Sequence, residues 1–322
     1  MSLGYLFGGG VGSEPHGIEL YESSPLMREL YEQISGWTGL TSEQILRAEL
    51  PEEQERRQSV GTIREAALAL SVHDLLAEAG LRPSVIGGLS LGAMTASSLA
   101  GALGREALFT MLAHAGDAPG PGPDDPRQGV ALAFQPANSG ESADSPPPWH
   151  GREGVHRAGD FGPTADGSQR ILMLAGHEAA LQRLAADAAP GTIVPLPGRT
   201  IAVHSPLRRQ FREFMAPYIA TMPFTAPDKN LLSCLERGSL KTADDVRDMF
   251  ERNSTDPISL VDVYEGMRDH GVSLALVMGP SIPEGILDFP FPVVHVERPE
   301  HIQLALTTAY DLGIDLSDAQ GR

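Results

Sequence analysis

The chain has 322 residues and a mass of 34.3 kDa, beyond the usual ~100–200 residues of one domain, so one large domain with an insertion or two domains are expected. Hydrophobic residues make up 41% and charged residues 20%, and no apolar run approaches the ~18–20 residues of a bilayer span, which excludes a transmembrane helix and leaves no membrane partner. The 24 basic against 42 acidic residues give a formal charge of −18, which repels a phosphate backbone and removes nucleic acid as a partner.

The start of the chain, MSLGYLFGGG, lacks the basic and long apolar regions of a secretory leader, and Cys234 is the only cysteine. No intrachain disulfide or zinc cluster can form from one thiol, so a soluble cytoplasmic protein without a bound metal is expected. All cations except Lys229 and Lys241 are arginines, a composition given no functional weight.

In chain order, an apolar run over residues 3–7 ends in Gly8-Gly9-Gly10 and predicts a buried strand feeding a turn. Residues 25–31 have helical spacing behind Ser24 as N-cap, and residues 62–80 carry a helical apolar pattern closed by Gly80. Residues 83–88 read as a strand, followed by a tight turn and an Ala-rich helix over 93–102. Between 117 and 169 the texture turns to Pro, Gly, Asp and Ser, so long regular elements are not expected there. Strands are predicted again at 171–174, 192–196, 200–203 and 273–278, and helices at 178–188, 207–222 and 260–270.

Gly88-Leu89-Ser90-Leu91-Gly92 fits a Gly-x-Ser-x-Gly elbow between a strand and a helix. Glycines there let the chain turn sharply enough to hold a serine hydroxyl above the strand end. A serine at neutral pH needs a base, and His204, in Val203-His204-Ser205-Pro206-Leu207, sits at a predicted strand-to-helix boundary. Nine other histidines compete, and on the residues alone the choice stays open.

These motifs resemble the malonyl-CoA:acyl-carrier-protein transacylases and the acyltransferases of polyketide synthases. Phe7-Gly8-Gly9-Gly10-Val11-Gly12-Ser13 resembles the family's Phe-Pro-Gly-Gln-Gly-Ser-Gln, residues 88–92 its Gly-His-Ser-Leu-Gly, and His204-Ser205-Pro206-Leu207 its His-Ser-Pro-Leu. Ala175-Gly176-His177, Val194-Pro195-Leu196-Pro197 and Asp256-Pro257-Ile258 add to the likeness. The resemblance implies an α/β fold: an α/β-hydrolase-like catalytic domain over 1–125 and 197–322, with a ferredoxin-like subdomain inserted at 126–196. It also implies Ser90 as nucleophile, His204 as general base and acid, backbone N–H groups of Gly10 and Leu91 as oxyanion hole, and the main-chain carbonyl of Asp256 as the group orienting the histidine.

The chain departs from that pattern where the family binds a free carboxylate. The family's arginine, counted from Ser90, falls on Ala115; its N-terminal glutamine is Gly10, its second pocket glutamine Gly61, and the elbow histidine Leu89. The tetrapeptide ending at the base is Ile201-Ala202-Val203-His204, matching neither the malonyl nor the methylmalonyl form. An acyl pocket bounded by Gly61, Leu89, Ala115 and Val203 is less polar and more roomy, so a bulky acyl group without a terminal carboxylate is expected.

Partners implied by the resemblance are donor and acceptor acyl carrier proteins, with the acyl group on a phosphopantetheine arm, or CoA in place of a carrier, and no bound cofactor. The chain looks most similar to the stand-alone non-malonyl acyltransferases of macrolactam pathways, the vicenistatin type that moves an aminoacyl or dipeptidyl starter. Arg152, Arg208 and Arg298 are candidate contacts for an acidic carrier. An editing acyl hydrolase, a malonyl-type transacylase and a non-catalytic docking protein are the competing readings.

Overall fold

A computed structural model describes residues 2–9, 16–122, 124–137, 147–280 and 282–314. The first strand, β1 (Ser2–Phe7), is buried from its second residue onward. Next in the chain come α1 (Ile18–Ser23), α2 (Pro25–Thr38) and α3 (Ser42–Leu46). Ser24 caps α2 by accepting from the Met27 N–H, with Pro25 at the first helical position, where its missing N–H costs nothing. Thr41 and Gln44 form a reciprocal capping box on α3.

The long helix α4 (Gln54–Glu78) begins eight residues before the expected 62. Its polar first turns concealed the start. Arg64 in this helix is buried because its guanidinium donates to the carbonyls of Ile45, Gln44 and Ala48 at the end of α3, acceptors the short helix cannot satisfy itself. Next come β2 (Val85–Gly88), α5 (Leu91–Leu99) and α6 (Arg105–His114).

The interval 117–169 holds two long strands, β3 (Gln128–Pro136) and β4 (Val155–Pro163), contrary to expectation. Alanine and glycine dominate their apolar positions, which hid the alternation. They pair antiparallel with β5 (Gln169–His177), ahead of α7 (Glu178–Asp187) and β6 (Ile193–Pro195). The expected strand at 200–203 is absent. There the Ala202 N–H donates to the Gln128 side chain at 3.0 Å, and the Ala202 carbonyl accepts from the Ser205 hydroxyl at 2.6 Å, so side chains take the places of a ladder.

The chain continues through α8 (Arg209–Ala220), β7 (Asn230–Leu232), β8 (Ser239–Leu240), α9 (Ala243–Arg252), β9 (Ile258–Ser259), α10 (Leu260–Asp269), β10 (Val272–Met278), β11 (Val293–Val296) and α11 (Pro299–Asp311). One sheet runs β11-β10-β1-β2-β7-β8, with every pairing parallel except β7–β8. The other runs β6-β3-β5-β4-β9. Its first four strands have the order of a ferredoxin-like sheet, and the two-residue β9 joins β4 in parallel from outside the 126–196 interval.

Strand alternation links the two cores. Leu172 and Leu174 of β5 pack beneath α7 with Leu181 and Leu184, whereas Met173 and Ala175 face the main core. No helix among the described residues is long and apolar enough to cross a membrane.

Candidate active site

The elbow is built by close backbone approach. A Cβ on Gly92 would lie 2.3 Å from the Phe7 carbonyl oxygen, and one on Gly88 would lie 2.4 Å from the Gly92 carbonyl carbon. A Cβ on Gly9 would lie 2.5 Å from the Leu89 carbonyl oxygen and 2.9 Å from the Ser90 Cβ, so the turn after β1 abuts the nucleophile's own backbone. Ser90 itself takes φ 53° and ψ −115°, a conformation that L-residues avoid. The strain aims its Oγ out of the strand end at the start of α5.

His204 is the other non-glycine residue with positive φ among the described residues, at 55°. Its N–H donates to the Ser254 carbonyl at 2.9 Å, and its Nε2 lies 2.9 Å from the Ser90 Oγ. The imidazole is 3% exposed. Burial lowers its pKa to about 4, opposed by main-chain acceptors of Asn253 and Asp256 and then by the Asp256 charge. The ring is therefore neutral at pH 7, free to take a proton at Nε2.

Nδ1 is buried and makes no hydrogen bond of good geometry, yet those two main-chain acceptors still favour its protonated form. The main chain of Asn253 therefore acts on the ring's proton affinity beside that of Asp256, the one group expected there. Arg252 holds this segment, donating to Asp256 and Asp248 at 2.8 Å each. Cys234 is buried 4.0 Å from the Asn253 Oδ1, and burial pushes its thiol up to about 11, which leaves it an inert packing group.

Leu91 opens α5, so its N–H has no acceptor within the helix. Gly10, the other expected donor, lies outside the described residues.

Ser90 and His204 sit in a cleft of about 830 Å³ including its open mouth. Ala115 and Val203 line it, joined by Met94, Met111 and Met215, flexible side chains suited to an irregular apolar wall. Two expected pocket positions lie elsewhere. Leu89 points into the main core, and Gly61 is buried off the α4 stripe of Glu55, Gln58, Ser59 and Thr62 that faces the cleft.

The arginines divide differently from expectation. Arg208 is not on the surface: it lines the cleft, and its guanidinium makes a two-pronged contact with Glu55, Nη1 to Oε1 at 2.8 Å and Nη2 to Oε2 at 2.9 Å. Arg152 and Arg298 are half-exposed, paired with Asp187 at 3.1 Å and Glu300 at 3.5 Å, and neither lines the cleft. Arg212, one turn beyond Arg208, does line it. The stripe Phe211, Met215 and Ile219 on α8 escaped the sequence reading, although its spacing of four is visible there.

Among the described residues no group of three or more His, Cys, Asp and Glu is placed to hold a metal ion.

A structural comparison sets the arrangement among known folds. The malonyl CoA-acyl carrier protein transacylase of Clostridium perfringens superposes with a TM-score of 0.82 over 98% of this chain and 99% of that one, at 17% identity. The fold is that of the malonyl-CoA:acyl-carrier-protein transacylases. The same transacylase fold relates the chain to the acyltransferase domain from the second module of the salinomycin polyketide synthase, with a TM-score of 0.77 at 19% identity, covering 98% of this chain and 74% of that one. A malonyl transacylase solved in complex with a type II polyketide acyl carrier protein matches at 0.77 and 17% identity, over 96% of this chain and all of that one. No family model and no curated protein sequence matches the chain.

Proposed function

We propose that this protein is a serine acyltransferase that moves a bulky acyl group without a free carboxylate, such as an aminoacyl or dipeptidyl unit, between acyl carrier proteins of a polyketide pathway. The observation that carries the reading is the 2.9 Å contact between the Ser90 Oγ and the His204 Nε2 at the floor of an apolar cleft. The transacylase fold and the carrier complex of one relative support the carrier as partner. Arg152 and Arg298 are the proposed carrier contacts, both exposed enough to meet an acidic surface despite their own weak pairs.

Ser90 Oγ attacks the thioester carbonyl carbon while its proton passes to His204 Nε2. The tetrahedral oxyanion lies against the Leu91 N–H and, by resemblance, that of Gly10. Collapse breaks the carbon–sulfur bond, the phosphopantetheine sulfur takes the proton back from Nε2, and the acyl group stays as an ester on Ser90. The thiol of the second carrier reverses these steps, its proton going to Nε2 and then to the Ser90 oxygen.

Ala115 places a methyl group on the cleft wall at the position counted as the family's arginine, and the methionine lining favours an uncharged chain. Intact-protein mass spectrometry after incubation with a panel of acyl carriers tests the proposal. The wild type is expected to gain the acyl mass and Ser90→Ala to gain none. Acid release at the same rate with or without an acceptor carrier identifies an editing hydrolase, and a wild type that never acylates overturns the enzyme reading.

A further inference from the structure

Glu55 and Arg208 stand 153 positions apart, yet their side chains meet on the wall of the cleft above Ser90 and His204. Glu55 lies in the first turn of α4, and Arg208 ends the 3₁₀ turn that follows His204. Their side chains are 4% and 10% exposed, and the guanidinium lies 4.1 Å from the centroid of the Phe211 ring. A guanidinium always carries its charge and accepts a carboxylate through two parallel N–H···O bonds. It would hold the free carboxylate of a diacid-derived acyl group in the same geometry. Here both prongs are already taken.

We propose that Glu55 is a specificity-determining residue: it occupies the guanidinium of Arg208, so that the cleft presents a neutral ion pair and refuses acyl groups carrying a free carboxylate. The proposal rests on the reading of this cleft as the acyl site of Ser90. An incoming carboxylate must compete with Glu55 for Arg208: displacing it leaves a buried carboxylate without a partner, and sharing the guanidinium sets two desolvated carboxylates against one cation. Nothing offsets that loss. Arg212 lines the same cleft, but it is half-exposed, its Nη1 lies 3.4 Å from the Thr255 Oγ1, and water screens its pull on an anion.

The test compares acyl-CoA pairs that differ by one methyl exchanged for a carboxylate, propionyl against malonyl and butyryl against succinyl, with acylation of Ser90 followed by intact mass. The wild type is expected to favour the neutral member by about 100-fold or more. Glu55→Gln keeps the shape and removes the competing charge, and it is expected to shift the ratio toward the acid by about tenfold or more. Adding Arg208→Met to Glu55→Gln is expected to abolish that shift.

Glu55→Asp, which keeps the charge but shortens its reach, gives a smaller shift and replaces Glu55→Gln if that variant does not fold. A wild type that takes malonyl as readily as propionyl overturns the proposal while leaving the acyltransferase reading intact. A preference for the acid that disappears in Arg212→Met overturns it in favour of Arg212. A wild type that acylates with none of the four, nor with any acyl carrier of the panel, overturns both.

Discussion

The Ser90 hydroxyl and the His204 imidazole, 114 residues apart in sequence, meet at 2.9 Å, and each is held by a backbone of positive φ. No other non-glycine residue described takes such a conformation. Each strained residue costs of order 1–3 kcal/mol and persists only because its surroundings over-determine it. The close-packed glycines do this for Ser90, and the bond to the Ser254 carbonyl does it for His204.

Burial of His204 fixes a pH dependence. A histidine in water titrates near 6.5, whereas this one is lowered to about 4, so the base stays neutral well into the acid range. The rate of Ser90 acylation is expected to be flat from pH 8 to about pH 5 and to fall with an apparent pKa near 4. Between pH 6.5 and 4 the unfolded chain binds a proton at His204 that the folded chain refuses, and His73, lowered to about 4 by its burial, behaves alike. The stability that these two contribute is full above pH 6.5 and is lost as pH falls toward 4. Glu65, raised to about 7 by burial, acts in the opposite sense between pH 4.5 and 7. Rapid-quench acylation across pH, beside thermal melts, checks both; an acid limb near 6.5 would refute the burial argument.

The elbow glycines are expected to be intolerant for a steric reason. Gly92→Ala drives a Cβ to 2.3 Å from the Phe7 carbonyl and 2.5 Å from the Gly8 carbonyl, so β1 and α5 must separate. A loss of about 3 kcal/mol or more in stability and the disappearance of acylation are expected. Gly36 is the control, since it lies exposed within α2 and its added Cβ meets nothing within 4 Å. Gly36→Ala should raise stability by ~0.5–1 kcal/mol. Urea denaturation of both variants decides the point.

The parts of this molecule that can be read without coordinates are those where one local signal suffices. The strands β1, β2 and β10 are parallel and covered on both faces, so they appear as continuous apolar runs, and glycine spacing marks the elbow. β3 and β4 were opaque because Gly129, Ala131, Ala133, Ala158 and Gly159 bury little side chain, and the neighbouring prolines dominate the composition. The ion pair between Glu55 and Arg208 is invisible for another reason. Nothing in the sequence says that α4 and the turn after His204 share a wall, and an arginine four residues from a candidate base reads equally as a surface cation.

Asp256 offers a way to move the base without touching it. Its carboxylate accepts from the Arg252 Nε at 2.8 Å and from the Thr255 hydroxyl at 3.0 Å, which steadies the segment facing His204 Nδ1, and its charge raises the histidine's pKa. Asp256→Asn removes that charge at nearly constant shape. The acid limb of the acylation profile is expected to move to lower pH, while the plateau rate drops by about tenfold as the segment loosens. A limb that stays in place would show that the main-chain acceptors alone set the proton affinity.

Ala115, where α6 ends at the cleft wall, is the position from which an anion anchor can be built back. Ala115→Arg introduces a guanidinium that Glu55 does not already occupy, because Arg208 holds both of that carboxylate's oxygens. Hydrogen bonds to a charged group contribute about 1.5–3 kcal/mol, so malonyl transfer should rise by roughly 10- to 100-fold. The added bulk should slow transfer of the largest neutral acyl groups in the same protein. Competition between malonyl and a long neutral acyl carrier, followed by the mass on Ser90, measures both changes at once, and a wild type that already loads malonate efficiently would refute the apolar-cleft reading.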